Sequence, residues 1–416
     1  MMLSLLIGNI LLIGIVSGVP LYTRATMQRI LYKDMQQVQL RRNVHPAVIE
    51  FRYKFNHVRE DMIIPTYYRT QDEIIPRILG SLDIPVLNSV QNLMLENWYC
   101  VPLEPREERP RSRALNLSSY EGHRDHIRLT QGRMPSGQIL EGNIIECLAN
   151  EMTLIRQDLL LNELMAVTNI KDLNIPEDEE EEPLYYIIIV GVYEALDEDL
   201  YWTVNPNNFR NELLISNSII KENFIGEYQT QYNISSIWYI MLDYGRMSAA
   251  QVLRYQASDA AIKEEFNNYS INIWNYKENF IETLNGYTLR TSKLVITLWV
   301  LQIPIYVLLA FYIYMVSRQI LQLEQNDISV LKSRGASRGQ IFSIYLLQSL
   351  FVCAISLCAG LPLGGFVCKV LGASNGFLDL VSRAALEVIF TRDAFIYAGI
   401  AGFVSILMMM VPVVRF

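Results

Sequence analysis

His123 and His126 stand three residues apart, a spacing that can chelate a metal ion when further ligands converge. No third ligand is near them in sequence, so a polar surface role is the better reading of the pair. The other histidines, His45 and His57, are isolated. No G-x-x-x-x-G-K-[ST] loop occurs to cradle nucleotide phosphates, and there is no H-E-x-x-H, G-x-S-x-G or C-x-x-C. No basic stretch interleaved with aromatics suits nucleic acid. The chain reads as a non-catalytic protein with no cofactor of its own.

Five cysteines do not form a framework. Cys353, Cys358 and Cys368 fall in an apolar stretch, where small polarizable side chains pack well. Cys100 and Cys147 lie elsewhere, and the spacing leaves both a disulfide and two free thiols open. The net charge of −8 owes much to one run, Glu177, Asp178, Glu179, Glu180, Glu181 and Glu182, bounded by Pro176 and Pro183. Such a run reads as a solvated loop.

The informative segment is 324–341, EQNDISVLKSRGASRGQI. Lys332, Arg334 and Arg338 place positive charge where cations are retained on the cytosolic side of a membrane. Ile328 and Leu331, three apart, share a helical face. Gly335 can end that helix, and Ser337 can cap another running into Ile341. The result is a short amphipathic helix on which another protein can push.

The elements that position this segment are membrane spans. Half of the chain is hydrophobic (51%) and only 19% is charged, with the apolar residues gathered in stretches. The spans are predicted at 1–21, 294–316, 341–370 and 394–414, long enough as helices to cross a ~30 Å hydrocarbon core. The first is read as retained, since it lacks a basic n-region and a small-x-small cleavage site. Charge on the loop 317–340 favours the cytosol for it. That puts 22–293 and the short loop 371–393 outside, with both termini inside.

The fold expected is therefore a four-helix membrane domain bearing a large extracytoplasmic mixed α/β domain on helical stalks. The stalks are predicted at 24–40 and 258–293. In the second, Ile262, Phe266, Tyr269, Ile273, Tyr276, Phe280 and Tyr287 follow a four-three spacing that reads as a coiled-coil seam. Between the stalks, 185–193 (YYIIIVGVY), 143–148 and 212–215 read as strands, and 158–164 and 241–256 as helices. The tract 106–113 (REERPRSR) reads as a charged surface loop.

At this point the residues resemble a family. One span, a large outer domain and three further spans look like the FtsX-like, MacB-type permeases of ABC transporters. The segment DISVLKSRGASRGQI is similar to that family's pattern E-I-[AG]-[VL]-L-[RK]-A-[LI]-G-A-S-[RK]-x-x-[IV]. Asp327 takes the acidic place, Lys332 the basic one, and Gly335, Ala336 and Ser337 match directly. Arg334 departs from the usual apolar residue. HIRLTQGRMP (126–135) resembles a G-R-x-P strand and turn common in these outer domains. YIIIVGVYEALDEDLYW (186–202) resembles a second segment through Gly191, Tyr193, Asp197, Tyr201 and Trp202.

The resemblance implies a permease subunit in the cell membrane, itself without catalysis. A separate cytoplasmic ATPase, holding ATP and Mg, is expected to dock on Asp327, Ile328, Leu331, Lys332, Gly335, Ala336 and Ser337. Hydrolysis there would move the outer domain for export or extraction of a lipid, peptide or lipoprotein. The alternative is a regulator that activates a cell-wall hydrolase outside. Partners implied are the ATPase, membrane lipids and a second permease module, either in a homodimer or as the other half of a duplicated chain. No substrate-binding residue is identified.

Overall fold

The computed structural model describes residues 2–42, 44–55, 60–103, 112–168, 183–196, 199–226, 232–267, 273–374 and 392–415. The acidic run 177–182, Asp197, His57, Tyr269, most of 106–113 and most of 371–393 lie outside them. Within the described residues the chain runs α1 (Met2–Arg42), β1 (Val48–Lys54), α2 (Ile63–Arg69), α3 (Ile75–Leu82), β2 (Val86–Pro102), β3 (Arg113–Tyr120), β4 (Ile127–Gly132) and β5 (Ile144–Asn150). It continues α4 (Glu151–Gln157), β6 (Leu164–Thr168), β7 (Tyr186–Ala195), β8 (Glu212–Leu214), α5 (Asn217–Ile219), β9 (Ile234–Leu242), α6 (Val252–Asn267) and β10 (Trp274–Glu278). It closes on α7 (Ile281–Leu323), α8 (Gln325–Ser333), α9 (Arg338–Ser374) and α10 (Arg392–Arg415).

Two units divide these elements. A helical unit comprises Met1–Lys33, Ser248–Ala250 and Asn285–Phe416, and a sheet unit comprises Asp34–Met247 and Gln251–Leu284. The helical unit holds helices long and apolar enough to cross a membrane: parts of α1 and α7, with α9 and α10. Small residues set its packing. A Cβ on Gly364 of α9 would lie 2.6 Å from the Gly14 carbonyl oxygen of α1, and one on Gly14 would lie 3.2 Å from the Gly360 carbonyl. Gly14 and Gly18 thus face Gly360 and Gly364 as paired small-xxx-small motifs, which let backbones touch where burial against lipid drives nothing. Polar side chains are satisfied between helices: Ser405 donates to the Asn9 amide oxygen, and the Ser317 hydroxyl donates to the Met409 carbonyl at 3.0 Å.

The sheet unit is built on an antiparallel array in the order β10-β1-β9-β2. Helices α2 and α3 connect β1 to β2, and α6 connects β9 to β10. That is a split βαβ arrangement repeated twice. Phe51 of β1 packs on Trp238 of β9 and on Phe266 of α6. Between β2 and β9 the chain inserts everything from β3 to β8. There β2, β3, β8, β5, β7 and β6 pair in a ring that returns to β2. The continuous apolar run of β7 suits its place in this ring, since Ile187 and the five residues from Ile189 to Tyr193 are buried.

Strands predicted at 185–193, 143–148 and 212–215 are present as β7, β5 and β8. Three helical expectations are corrected. Asp158 takes a left-handed φ of 52° and ends α4, so 158–164 is a turn leading into β6. Most of 241–256 is the end of β9 and two short 3₁₀ turns before α6 begins at Val252. The second stalk is not one helix. Trp274–Glu278 pairs with β1, Phe51 opposite Tyr276 and Tyr53 opposite Trp274, and helix resumes only at Ile281. The seam residues Ile262, Phe266, Phe280 and Tyr287 are all buried, yet Ile262 and Phe266 belong to α6, Phe280 to the bend before α7 and Tyr287 to α7. WNYKE alternates aromatic with polar residues, and pairing to β1 exploits that period of two. The first stalk segment, 24–40, lies wholly within α1. Cys100 and Cys147 are both buried free thiols, and burial pushes the Cys100 thiol up to about 12.

Candidate coupling site

The coupling segment is a helix–turn–helix whose turn chemistry is local. Helix α8 carries Asp327 in its first turn and Lys332 in its last, each charge complementing the helix dipole. The helix ends at Arg334, and Gly335 follows with φ +91°. The Ala336 N–H donates to the Leu331 carbonyl and the Gly335 N–H to the Lys332 carbonyl, both at 3.1 Å. This pair of bonds is a Schellman closure, which requires the left-handed residue that glycine supplies. Ser337 and Gln340 then cap α9 reciprocally: the Gln340 N–H donates to the Ser337 hydroxyl at 3.3 Å, and the Ser337 N–H to the Gln340 amide oxygen at 2.9 Å.

The two apolar residues of α8 divide their roles. Ile328 is 5% exposed and packs with Leu321 of α7 and Ile341 of α9, with Ala336, Tyr345 and Val413 alongside. Leu331 is 42% exposed and Val330 49% exposed. Asp327, Lys332, Gly335 and Ser337 are exposed as well, and Ala336 is half-buried. The structure thus brings Ile328 into the bundle and leaves the other six predicted residues on or near the surface. Sequence reasoning missed Glu324 and Tyr345. The Tyr345 hydroxyl donates to the Glu324 carboxylate at 2.7 Å, tying the start of α8 to α9 across the turn. No spacing rule connects those two positions.

In the sheet unit the two further motif segments meet. Strands β4 and β7 pair antiparallel, with Gly132 opposite Gly191. The Trp202 indole N–H donates to the His126 carbonyl at 2.9 Å, and the Tyr201 ring stacks on the His126 imidazole at 3.9 Å. His126 Nδ1 lies 2.6 Å from the Asp199 carboxylate, whereas buried His123 holds the Tyr120 carbonyl at 2.7 Å. Burial pushes the His123 pKa down. The two imidazoles are thus engaged separately. Among the described residues no group of three or more His, Cys, Asp or Glu converges as metal ligands. Arg133 forms a two-pronged ion pair with buried Glu146, whose second oxygen also accepts the Ser136 N–H at 2.7 Å. The Arg133 hydrogen bonds hold the Glu146 carboxyl down to about 2.

Residues 300–416 match the family model of the FtsX-like permease C-terminal domain. Among curated proteins none matches this sequence. The matched region contains the C-terminal part of α7, all of α8 with its Schellman closure, α9 and α10. It supports the resemblance read from Asp327, Lys332 and the Gly335-Ala336-Ser337 turn. Residues 300–416 therefore match an FtsX-like permease C-terminal domain, and the four candidate spans suit a multi-pass membrane protein.

Proposed function

We propose that this protein is the permease subunit of an ABC transporter, working with a cytoplasmic ATPase that carries ATP and Mg and docks on α8. The observation that carries this reading is the division of labour within α8. Ile328 fixes the helix to α7 and α9, while Val330, Leu331 and Lys332 are exposed. A push on the exposed face is therefore delivered to the ends of two spans. Helix α7 is unbroken from Ile281 to Leu323 and contributes residues to both units, which suits it to carry that displacement toward the sheet unit. On this reading the sheet unit stands outside the cell membrane, where its movement expels or extracts a lipid, peptide or lipoprotein. A second permease module completes the assembly.

The test is co-purification of the full chain with the ATPase, followed by ATP turnover in lipid nanodiscs. Stable association and turnover that depends on Leu331 support the proposal. An intact chain that binds no ATPase, or turnover indifferent to Leu331→Glu, defeats it.

A further inference from the structure

Strand β8 is three residues long and joins two halves of the ring, running parallel to β3 and antiparallel to β5. Its first residue, Glu212, is only partly exposed and among the described residues has no ion-pair partner. One carboxylate oxygen accepts the Ser118 hydroxyl at 3.1 Å and, more weakly, the Tyr120 hydroxyl at 3.5 Å. The groups facing it are phenols: Tyr120 from β3, Tyr193 from β7 and Tyr239 from β9. Among the described residues the one cation near it is Arg52 of β1. Arg52 is already engaged, 3.5 Å from Glu50 and 3.7 Å from Glu96. Two neighbouring groups are polar, buried and without a hydrogen-bond partner among the described residues: the Tyr193 hydroxyl and both amide atoms of Asn92, which pairs with Tyr120 across β2 and β3.

A carboxylate in such a place is costly as a charge and inexpensive as a neutral acid. As an acid it keeps both hydrogen bonds and gains an O–H of its own to donate. We propose that Glu212 is a proton-binding switch of the sheet unit, neutral in the closed ring and loosening β8 from β3 and β5 when it ionises. Burial pushes its pKa upward, and the Ser118, Tyr120 and Arg52 contributions that oppose this are smaller. Because the folded pKa lies above the unfolded one, the folded unit holds an extra proton between the two values. Stability is therefore unaffected below the unfolded pKa and falls as pH rises toward the folded one. This inference concerns the sheet unit alone and stands whether or not an ATPase docks on α8.

The experiment uses the full chain in detergent, unfolded thermally from about pH 5 to pH 9, beside Glu212→Gln. The wild type should lose up to ~10-fold in its folding equilibrium per pH unit, relative to the variant, within the window set by one linked proton. Equal pH slopes for the two proteins overturn the proposal. Infrared titration of the wild type with isotopically labelled glutamate needs no variant. A protonated carboxyl band that persists above the pH at which exposed glutamates ionise supports the assignment. Titration of every glutamate together, at the ordinary carboxylate pH, overturns it.

Discussion

Gly132 and Gly191 face each other across β4 and β7 so closely that neither position has room for a side chain. A Cβ on Gly132 would lie 2.2 Å from the Val190 carbonyl oxygen, and one on Gly191 would lie 2.5 Å from that of Arg133. Gly132 also takes a φ of +76°. The register of β4 on β7 shifts between Leu129 and Gln131, so the strands approach most tightly just beyond a bulge.

Gly132→Ala should therefore destabilise the sheet unit by about 2–4 kcal/mol, combining left-handed strain with forced separation of two backbones. Gly142→Ala is the control, with φ +81° and open space around its Cβ. It should show the strain alone. Thermal melting of the two variants side by side separates the two causes.

The Arg133–Glu146 pair makes the same turn acid-sensitive. Its carboxyl is held at about 2, below the unfolded value, so its contribution is present above the unfolded pKa and lost as pH falls toward 2. Glu146→Gln should weaken the unit at neutral pH and flatten its response between about pH 5 and pH 2. An acid melt followed by tryptophan fluorescence reads both.

Ile328 and Leu331 should separate folding from docking. Ile328→Ala empties a contact between α8, α7 and α9 and should cost about 2–5 kcal/mol, with early melting and loss of the ATPase together. Leu331→Glu should leave the melting temperature within a degree or two and remove ATPase association alone. Size-exclusion chromatography with the ATPase reads the difference.

Gly364→Val should part α1 from α9, since its Cβ meets the Gly14 carbonyl at 2.6 Å and the Ser17 hydroxyl at 2.8 Å. Gly399→Val, where nothing lies within 4 Å, should be tolerated. Monodispersity after heating in detergent distinguishes them.

Asn279 fastens β10 to the segment before β1. Its amide oxygen accepts the Val48 N–H and its amide nitrogen donates to the His45 carbonyl, both at 2.7 Å. Asn279→Ala should cost about 1–3 kcal/mol by leaving half-buried backbone groups unpaired. Amide hydrogen exchange at Val48 should rise in step.

What was legible in the sequence was whatever a few consecutive residues decide. Gly335 and Ser337 could be read because a Schellman closure and a capping box use neighbours along the chain. The apolar spans and β7 were legible for the same reason. The seam from Ile262 to Tyr287 was half legible: Ile262, Phe266, Phe280 and Tyr287 are buried, but burial does not reveal whether helix or strand does the burying. Trp274–Glu278 became a strand because β1 lay beside it, a partner more than two hundred residues earlier. Glu324 with Tyr345, Arg133 with Glu146, and Gly132 with Gly191 likewise depend on the fold bringing distant positions together. Cys100 and Cys147 remained open until burial and free thiols were seen.

The insertion of β3 to β8 between β2 and β9 has an architectural consequence. The chain departs the scaffold on one strand and re-enters it on that strand's immediate neighbour. Whatever is carried between those two attachment points is a cassette, free to change size or surface while β10, β1 and β9 keep their registers.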